Sequence, residues 1–110
     1  MTSLMHVKRI FHAFAQIDPK MQLSTAMVLL EIANADANDR EITNKEIEKA
    51  LGLRSGTTTR NIYYWTEEGH PENSGAAGLV SVTLSLQDRR QRVIKLTPKG
   101  RSFIKSITGD

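Results

Sequence analysis

The residues with the clearest potential chemistry are three arginines close together near the C-terminal end of the chain. Arg89, Arg90 and Arg92 belong to the segment DRRQRVIKLTPKG at positions 88–100, with a predicted hairpin tip at 87–91. Guanidinium groups are too costly to bury without partners, so we expect these to face water or an anionic polymer. The alternative interpretation is a solvated turn that discourages edge-to-edge strand pairing.

A second set of candidate residues lies on a predicted helix at about 56–67. Thr58, Ile62 and Trp65 recur at helical spacing and are expected to pack inward. The opposite face begins with small hydroxylated residues, which permit close approach to a DNA major groove. Arg60 on that face can pair bidentately with guanine, for about 1–3 kcal/mol of discrimination. The alternative is an ordinary amphipathic helix with a solvated polar face.

Together the two sets predict a surface that contacts double-stranded DNA, in which tyrosine hydroxyls reach phosphates. The candidate DNA-binding residues are Arg54, Ser55, Gly56, Thr57, Thr59, Arg60, Tyr63, Tyr64, Arg89, Arg90 and Arg92.

The N-terminal half of the chain is predicted to supply a helical scaffold. Apolar spacing indicates a helix over 3–17, capped by Ser3 and ended by Asp18-Pro19. A second helix over 23–35, capped by Ser24, is apolar nearly all round and is therefore expected to be central. Residues 36–39 are predicted to form a loop, and Glu41-Ile42 a very short strand.

The elements that would position the candidate residues follow in order. Thr43 and Glu46 match a capping box, and Gly52 is suited to end the helix that they begin. Ser55 is the expected cap of the next helix. Residues 69–78 are rich in turn formers, and residues 80–86 alternate as a half-buried strand does. Ile94 and Leu96 continue that alternation on a returning strand, and the final helix spans 98–107, with Thr97 as its cap and Pro98 in its first position.

This order predicts a mainly α chain with a small β-hairpin, an α+β winged helix-turn-helix. At 110 residues the chain is expected to form one domain, 1–110, with the helix-turn-helix at about 43–67 and the wing at about 79–96.

Composition supports a nucleic-acid partner and excludes several other classes. The net charge is +3, and residues 89–105 carry seven cationic side chains and no acid. The absence of cysteine excludes disulfides and thiolate zinc sites. Nucleophile, phosphate-loop and dinucleotide motifs are absent, so we expect neither an enzyme nor a cofactor or metal site. No apolar run suits a membrane span or a signal peptide, so the expected location is the cytoplasm.

The segments 88–100 and 43–65, with Gly78-Leu79-Val80, resemble the MarR family of winged-helix transcription regulators over roughly residues 22–104. The resemblance implies a homodimer, with Thr57, Thr59 and Arg60 reading bases and Arg89 or Arg90 entering the minor groove. It favours a repressor on a pseudo-palindromic operator, encoded by a prokaryote, a phage or a plasmid. The chain ends soon after Ile107, so the dimer is expected to use the N-terminal and C-terminal helices.

Two other interpretations remain open at this stage. A winged-helix protein-interaction adaptor would use Tyr63, Tyr64 and Trp65 as interface anchors. A replication or DNA-architecture factor would bind DNA as the regulator does, and the residues do not separate it from a repressor.

Overall fold

The predicted order of elements is confirmed in a computed structural model, which describes residues 3–67, 78–84 and 92–109. Over these ranges the chain forms five α-helices and a three-stranded sheet. Their bounds are α1 Leu4–Ile17, α2 Leu23–Ala37, β1 Ile42–Thr43, α3 Asn44–Leu51, α4 Ser55–Tyr63, β2 Val80–Leu84, β3 Arg92–Leu96 and α5 Pro98–Thr108.

Four predicted helix ends are confirmed. The hydroxyl of Ser3 accepts a hydrogen bond from a backbone N–H at the start of α1. Thr43 begins α3 with a complete capping box, in which the carboxylate of Glu46 accepts from the backbone N–H of Thr43. Gly52 ends α3 in the left-handed conformation at φ 66°. Thr97 caps α5, and Pro98 occupies its first position.

Two predicted caps and two predicted helix ends are wrong. Helix α2 begins after Gln22 and α4 after Arg54, so Ser24 and Ser55 lie inside the helices that they were expected to cap. Helix α2 also runs two residues further than predicted, into the expected loop at 36–39. Ser24 is drawn inward because its hydroxyl accepts a hydrogen bond from the side chain of Asn61.

Helix α4 ends at Tyr63 rather than at residue 67 because the chain turns to meet the sheet. The carbonyl oxygen of Trp65 accepts hydrogen bonds from the backbone N–H groups of Leu79 (2.9 Å) and Val80 (3.1 Å). A residue that bonds the start of β2 in this way cannot also continue the helical ladder. The last helical turn is therefore replaced by a junction between α4 and β2.

Strand β3 lies at the centre of an antiparallel sheet with the order β1-β3-β2. Val80 pairs with Leu96, and Leu84 pairs with Arg92 at the outer end of the ribbon formed by β2 and β3. Val80 is buried whereas Leu84 is 57% exposed, so the predicted half-buried pattern holds only at the base of the ribbon. The predicted tip at 87–91, with Arg89 and Arg90, and most of the predicted loop at 69–78 lie outside the described residues.

The core forms around α2, whose Val28, Leu29 and Ile32 are fully buried, as its apolar pattern predicted. Phe14 of α1 contacts Trp65 edge-to-face, with ring centroids 6.0 Å apart, and contacts Phe103 of α5 in the same way at 5.7 Å. This aromatic row links the two terminal helices to the junction that follows α4. The rest of the apolar face of α1 is largely open; Leu4, Met5 and Phe11 are all exposed.

Candidate nucleic-acid interface

Helix α4 packs on the core through the face that the sequence predicted. Thr58, Ile62 and Trp65 are all buried, with exposures of 0%, 2% and 0%. The hydroxyl of Thr58 donates to the carbonyl oxygen of Arg54, the residue that precedes α4, at 2.9 Å. The buried hydroxyl of Thr58 is therefore satisfied locally, and this hydrogen bond does not fix the orientation of α4 on the rest of the domain.

The opposite face of α4 carries an arginine that lies back along the helix. Arg60 is exposed, and its Nη2 donates to the hydroxyl of Thr57 at 3.4 Å. Its Nη1 lies 3.9 Å from the position that a Cβ atom on Gly56 would occupy. The guanidinium group is thus held over the first turn of α4, beside a position that presents only backbone.

Thr59 differs from its neighbours because it turns towards α3. It is half-buried, and its hydroxyl donates to the side-chain oxygen of Asn44 at 3.2 Å. The amide of Asn44 in turn donates to the carboxylate of Glu48. Thr59 therefore lines the groove described below while its hydroxyl joins the two helices of the helix-turn-helix, and its role in reading bases stays a prediction.

A hydrogen bond connects α4 to the sheet ribbon. The guanidinium of Arg92, at the start of β3, donates to the hydroxyl of Tyr63 at 3.0 Å. A groove of about 520 Å³ lies beside this contact, between the start of α3, α4 and the sheet. Its polar lining includes Thr43, Lys45, Ser55, Thr59, Tyr63 and Arg92. The outer end of the described ribbon therefore shares one side of the molecule with α4.

Tyr64 was expected on the outer face of a longer helix, and that placement is wrong. It follows the last residue of α4, and its ring packs edge-to-face on Trp65 with centroids 5.0 Å apart. Burial raises the pKa of the Tyr64 phenol, and the nearby carboxylate of Asp18, which also hydrogen-bonds to it, raises that pKa further. Tyr64 therefore lies in the junction between α4 and β2, close to the end of α1.

One buried polar residue of α4, Asn61, was not predicted from the sequence. Asn61 lies on the inward face and bonds the start of α2. The signal was present, because position 61 lies only about 60° from Thr58 on the helix, at the edge of the arc that packs against the core. A polar side chain on such an arc indicates a buried hydrogen-bond partner.

The described residues give no indication of a metal site or a membrane span. No three histidine or acidic side chains among residues 3–67, 78–84 and 92–109 are grouped so that they could hold a metal ion. Within the same ranges, each helix is too short or too polar to cross a bilayer.

Comparison with solved structures identifies the fold. RV1404 from Mycobacterium tuberculosis matches 96% of this chain at 20% identity, with a TM-score of 0.67; the chain spans 63% of its length. A mutant of S. aureus MepR bound to an oligodeoxyribonucleotide matches 96% of this chain at 17% identity and a TM-score of 0.70; the match covers 67% of MepR. A mutant of E. coli MarR complexed with operator DNA matches 96% of this chain at 20% identity and a TM-score of 0.64; the match again covers 67% of the solved chain.

The similarity to these proteins is evident in the structure and not in the sequence. No family profile and no curated protein sequence matches the chain. The agreement with the solved structures extends over nearly the whole of this chain and includes its helices and its small antiparallel sheet. The chain therefore has a MarR-like winged helix-turn-helix fold.

Proposed function

We propose that the chain is a sequence-specific, double-stranded DNA-binding transcription regulator that acts as a homodimeric repressor. The observation that carries this proposal is the hydrogen bond of 3.0 Å between Tyr63 and Arg92, which joins the outer face of α4 to the outer end of the described ribbon. A helix and a ribbon on one side of a domain match the spacing of adjacent DNA grooves. Two proteins of similar structure, MepR and E. coli MarR, are bound to DNA in their solved forms.

In this proposal the first turns of α4 enter the major groove. Gly56 and Thr57 permit close approach, and Arg60 pairs with guanine. Arg54 and Ser55, at the start of the helix, contact phosphates, which the N-terminal N–H groups of a helix also favour. Thr59 stays in the contact set because it lines the groove beside Tyr63 and Arg92, whereas Tyr64 is left out because its ring packs on Trp65.

The ribbon supplies the second group of contacts. Arg92 and Tyr63 approach the phosphates between the two grooves, and Arg89 and Arg90 reach the minor groove or its flanking phosphates. These contacts neutralise backbone charge and therefore make binding strongly dependent on salt.

The proposed dimer forms through α1 and α5. Helix α1 leaves Leu4, Met5 and Phe11 exposed, and apolar side chains grouped on one exposed helix are typical of an interaction surface. Two copies related by a twofold axis would occupy an operator whose half-sites lie about one turn apart. The proposed setting is the cytoplasm of a prokaryotic cell, with a chromosomal, phage or plasmid gene.

The adaptor alternative requires exposed aromatic anchors, and two of its three candidate residues do not meet this requirement. Trp65 is fully buried, and Tyr64 packs against it, so neither is available as the exposed aromatic anchor that this alternative requires. The replication or DNA-architecture alternative shares the proposed DNA-binding surface. An architectural factor would differ from the regulator in its lack of sequence preference, which the following experiment measures.

The test begins with selection of bound sites from a pool of random duplexes. Affinities for the selected duplex and for a scrambled duplex are then measured for the wild type and for Arg60→Ala, Arg92→Ala and Lys20→Ala. Arg60→Ala is expected to lower the specific affinity by about 5- to 150-fold more than the non-specific affinity, since one arginine–guanine pair is worth about 1–3 kcal/mol. Arg92→Ala should weaken both affinities alike.

The control variant, Lys20→Ala, removes an exposed cation from the turn between α1 and α2 and should leave both affinities unchanged. Equal losses on the two duplexes for Arg60→Ala would contradict base recognition by this residue. Failure of the selection to enrich any sequence would contradict the regulator itself.

A further inference from the structure

A buried polar contact connects α4 to the start of α2. Asn61 is only 8% exposed, and its side-chain oxygen accepts a hydrogen bond of 2.7 Å from the hydroxyl of Thr25, which is also buried. The amide nitrogen of Asn61 donates to the hydroxyl of Ser24 at 3.4 Å. The amide of Asn61 thus bonds two successive residues of α2.

A second hydrogen bond reaches the same place from one turn further along the chain. The indole Nε1 of Trp65 donates to the carbonyl oxygen of Thr25 at 2.9 Å, and Trp65 is fully buried. Ile62 packs into the core between these two attachments. Apolar contact is non-directional, so Ile62 alone would allow α4 to rotate or slide, whereas hydrogen bonds require particular angles.

We propose that the Thr25–Asn61 pair is a positioning device that sets the rotation of α4 about its own axis. This proposal rests on the proposed function, because its consequence is the direction in which Arg60 points. Successive residues of a helix are about 100° apart, so fixing Asn61 inward also fixes Arg60. A rotation of about 10° would displace a group roughly 6 Å from the helix axis by about 1 Å, which is enough to spoil a bidentate hydrogen bond.

A positioning role and a purely stabilising role predict different effects when both side chains of the pair are replaced. Loss of one member of a buried pair leaves the other unsatisfied, but replacing both by apolar groups of similar shape is close to neutral for stability. The double variant Thr25→Val with Asn61→Leu should therefore keep a melting temperature near that of the wild type. It would lack the directional constraint at Asn61 and keep only the Trp65–Thr25 hydrogen bond beyond the end of α4, so α4 would occupy a wider range of rotations.

The first measurement is the ratio of affinities for the selected and scrambled duplexes. The double variant is expected to lose about tenfold or more in this ratio, the effect of one misplaced base contact. Thr58→Val is the matched control, because it removes a buried hydroxyl of α4 that bonds only within that helix. Thr25→Ser keeps the hydroxyl donor. Both Thr58→Val and Thr25→Ser should retain the wild-type ratio.

The second measurement does not depend on DNA. Trp65 is the sole tryptophan of the chain, so its indole N–H gives one assignable cross-peak in a ¹H–¹⁵N spectrum. A single sharp peak is expected for the wild type and for Thr58→Val, and a broadened or doubled peak for the double variant. If the wild type enriches no duplex, the proposed function fails while this spectrum still tests the positioning role.

The positioning role is overturned if the folded double variant keeps both the wild-type affinity ratio and a single sharp indole peak. Should the double variant fail to fold, Thr25→Val alone is measured well below its melting temperature, and the same loss of ratio is expected. A wild-type ratio in that folded single variant would also overturn the role.

Discussion

Gly100 lies in the segment Thr97-Pro98-Lys99-Gly100, and the structure shows why that position holds glycine. A Cβ atom built on Gly100 would lie 2.1 Å from the carbonyl oxygen of Leu79 and 2.9 Å from Cδ2 of Leu96. The same carbonyl oxygen accepts a hydrogen bond of 3.0 Å from the backbone N–H of Thr97. The start of α5 is thus packed directly on the backbone that leads into β2, with no space for a side chain.

The cost of Gly100→Ala can be worked out from these contacts. Non-bonded carbon atoms prefer separations of about 3.5–4.0 Å, so a clash at 2.1 Å requires a displacement of more than about 1 Å. Overpacking of this kind costs about 1–3 kcal/mol, and loss of the Thr97 hydrogen bond adds about 1 kcal/mol. The better helix propensity of alanine returns about 1 kcal/mol. The expected net loss is about 1–3 kcal/mol, a fall in Tm of roughly 5–20 °C for a domain of this size.

Thermal unfolding followed by circular dichroism measures this loss, and Gly56→Ala is the matched control. Gly56 also lies in the first turn of a helix, but its added Cβ would meet nothing closer than a side-chain atom at 3.9 Å. That variant should therefore be as stable as the wild type or more stable by up to about 1 kcal/mol. Equal melting temperatures for the wild type and Gly100→Ala would refute the close approach of α5 to the chain at Leu79.

Three further predictions concern the cap of α3 and the two tyrosines. Thr43→Ala breaks the capping box of α3 and should lower the free energy of unfolding by about 1 kcal/mol in a urea titration; an unchanged midpoint would contradict the importance of the cap. Because burial and Asp18 raise the pKa of Tyr64 in the folded chain, the stability that this phenol contributes is complete below about pH 10 and is lost as pH rises through the higher folded value. Tyr64→Phe should flatten that alkaline decline, and an identical decline in the variant would show that another group causes it. Tyr63→Phe removes the hydroxyl that accepts from Arg92 on an exposed surface, so it should leave Tm nearly unchanged. It should weaken binding to the selected and the scrambled duplex equally. A selective loss on the selected duplex would instead assign Tyr63 to base recognition.

Local signals in the sequence were enough to predict most of the helix boundaries. Thr43 with Glu46, Gly52, and Thr97 with Pro98 each satisfy orphan backbone groups within one helical turn, so the residues that decide these boundaries are neighbours in sequence. The same holds for the inward face of α4, which follows from helical spacing alone. These elements carry the prediction of a winged helix-turn-helix.

The errors arise where contacts distant in sequence override local preference. Ser24 is a good cap by residue type, but α2 begins earlier and the Ser24 hydroxyl accepts from Asn61, 37 residues away. Tyr64 leaves the helical pattern because Trp65 must bond both Thr25 and the start of β2. The hydroxyl of Thr59 likewise bonds Asn44, 15 residues away, a partner that helical spacing does not predict. The sequence signals the polarity of these side chains but not the distant partner that each one finds.

The central claim is that α4 and the β2–β3 ribbon contact adjacent grooves from one side of the molecule, and site-directed cleavage tests it most directly. The chain has no cysteine, so Ser55→Cys, Thr83→Cys and Gln16→Cys each place a single iron-chelate probe, on α4, on the ribbon and on α1 respectively. The account predicts that the α4 and ribbon probes cut the selected duplex at two positions within about half a turn of each other, about 5 base pairs, and that the α1 probe does not cut these positions. Cleavage from only one of the two, or equal cleavage from the α1 probe, would contradict it.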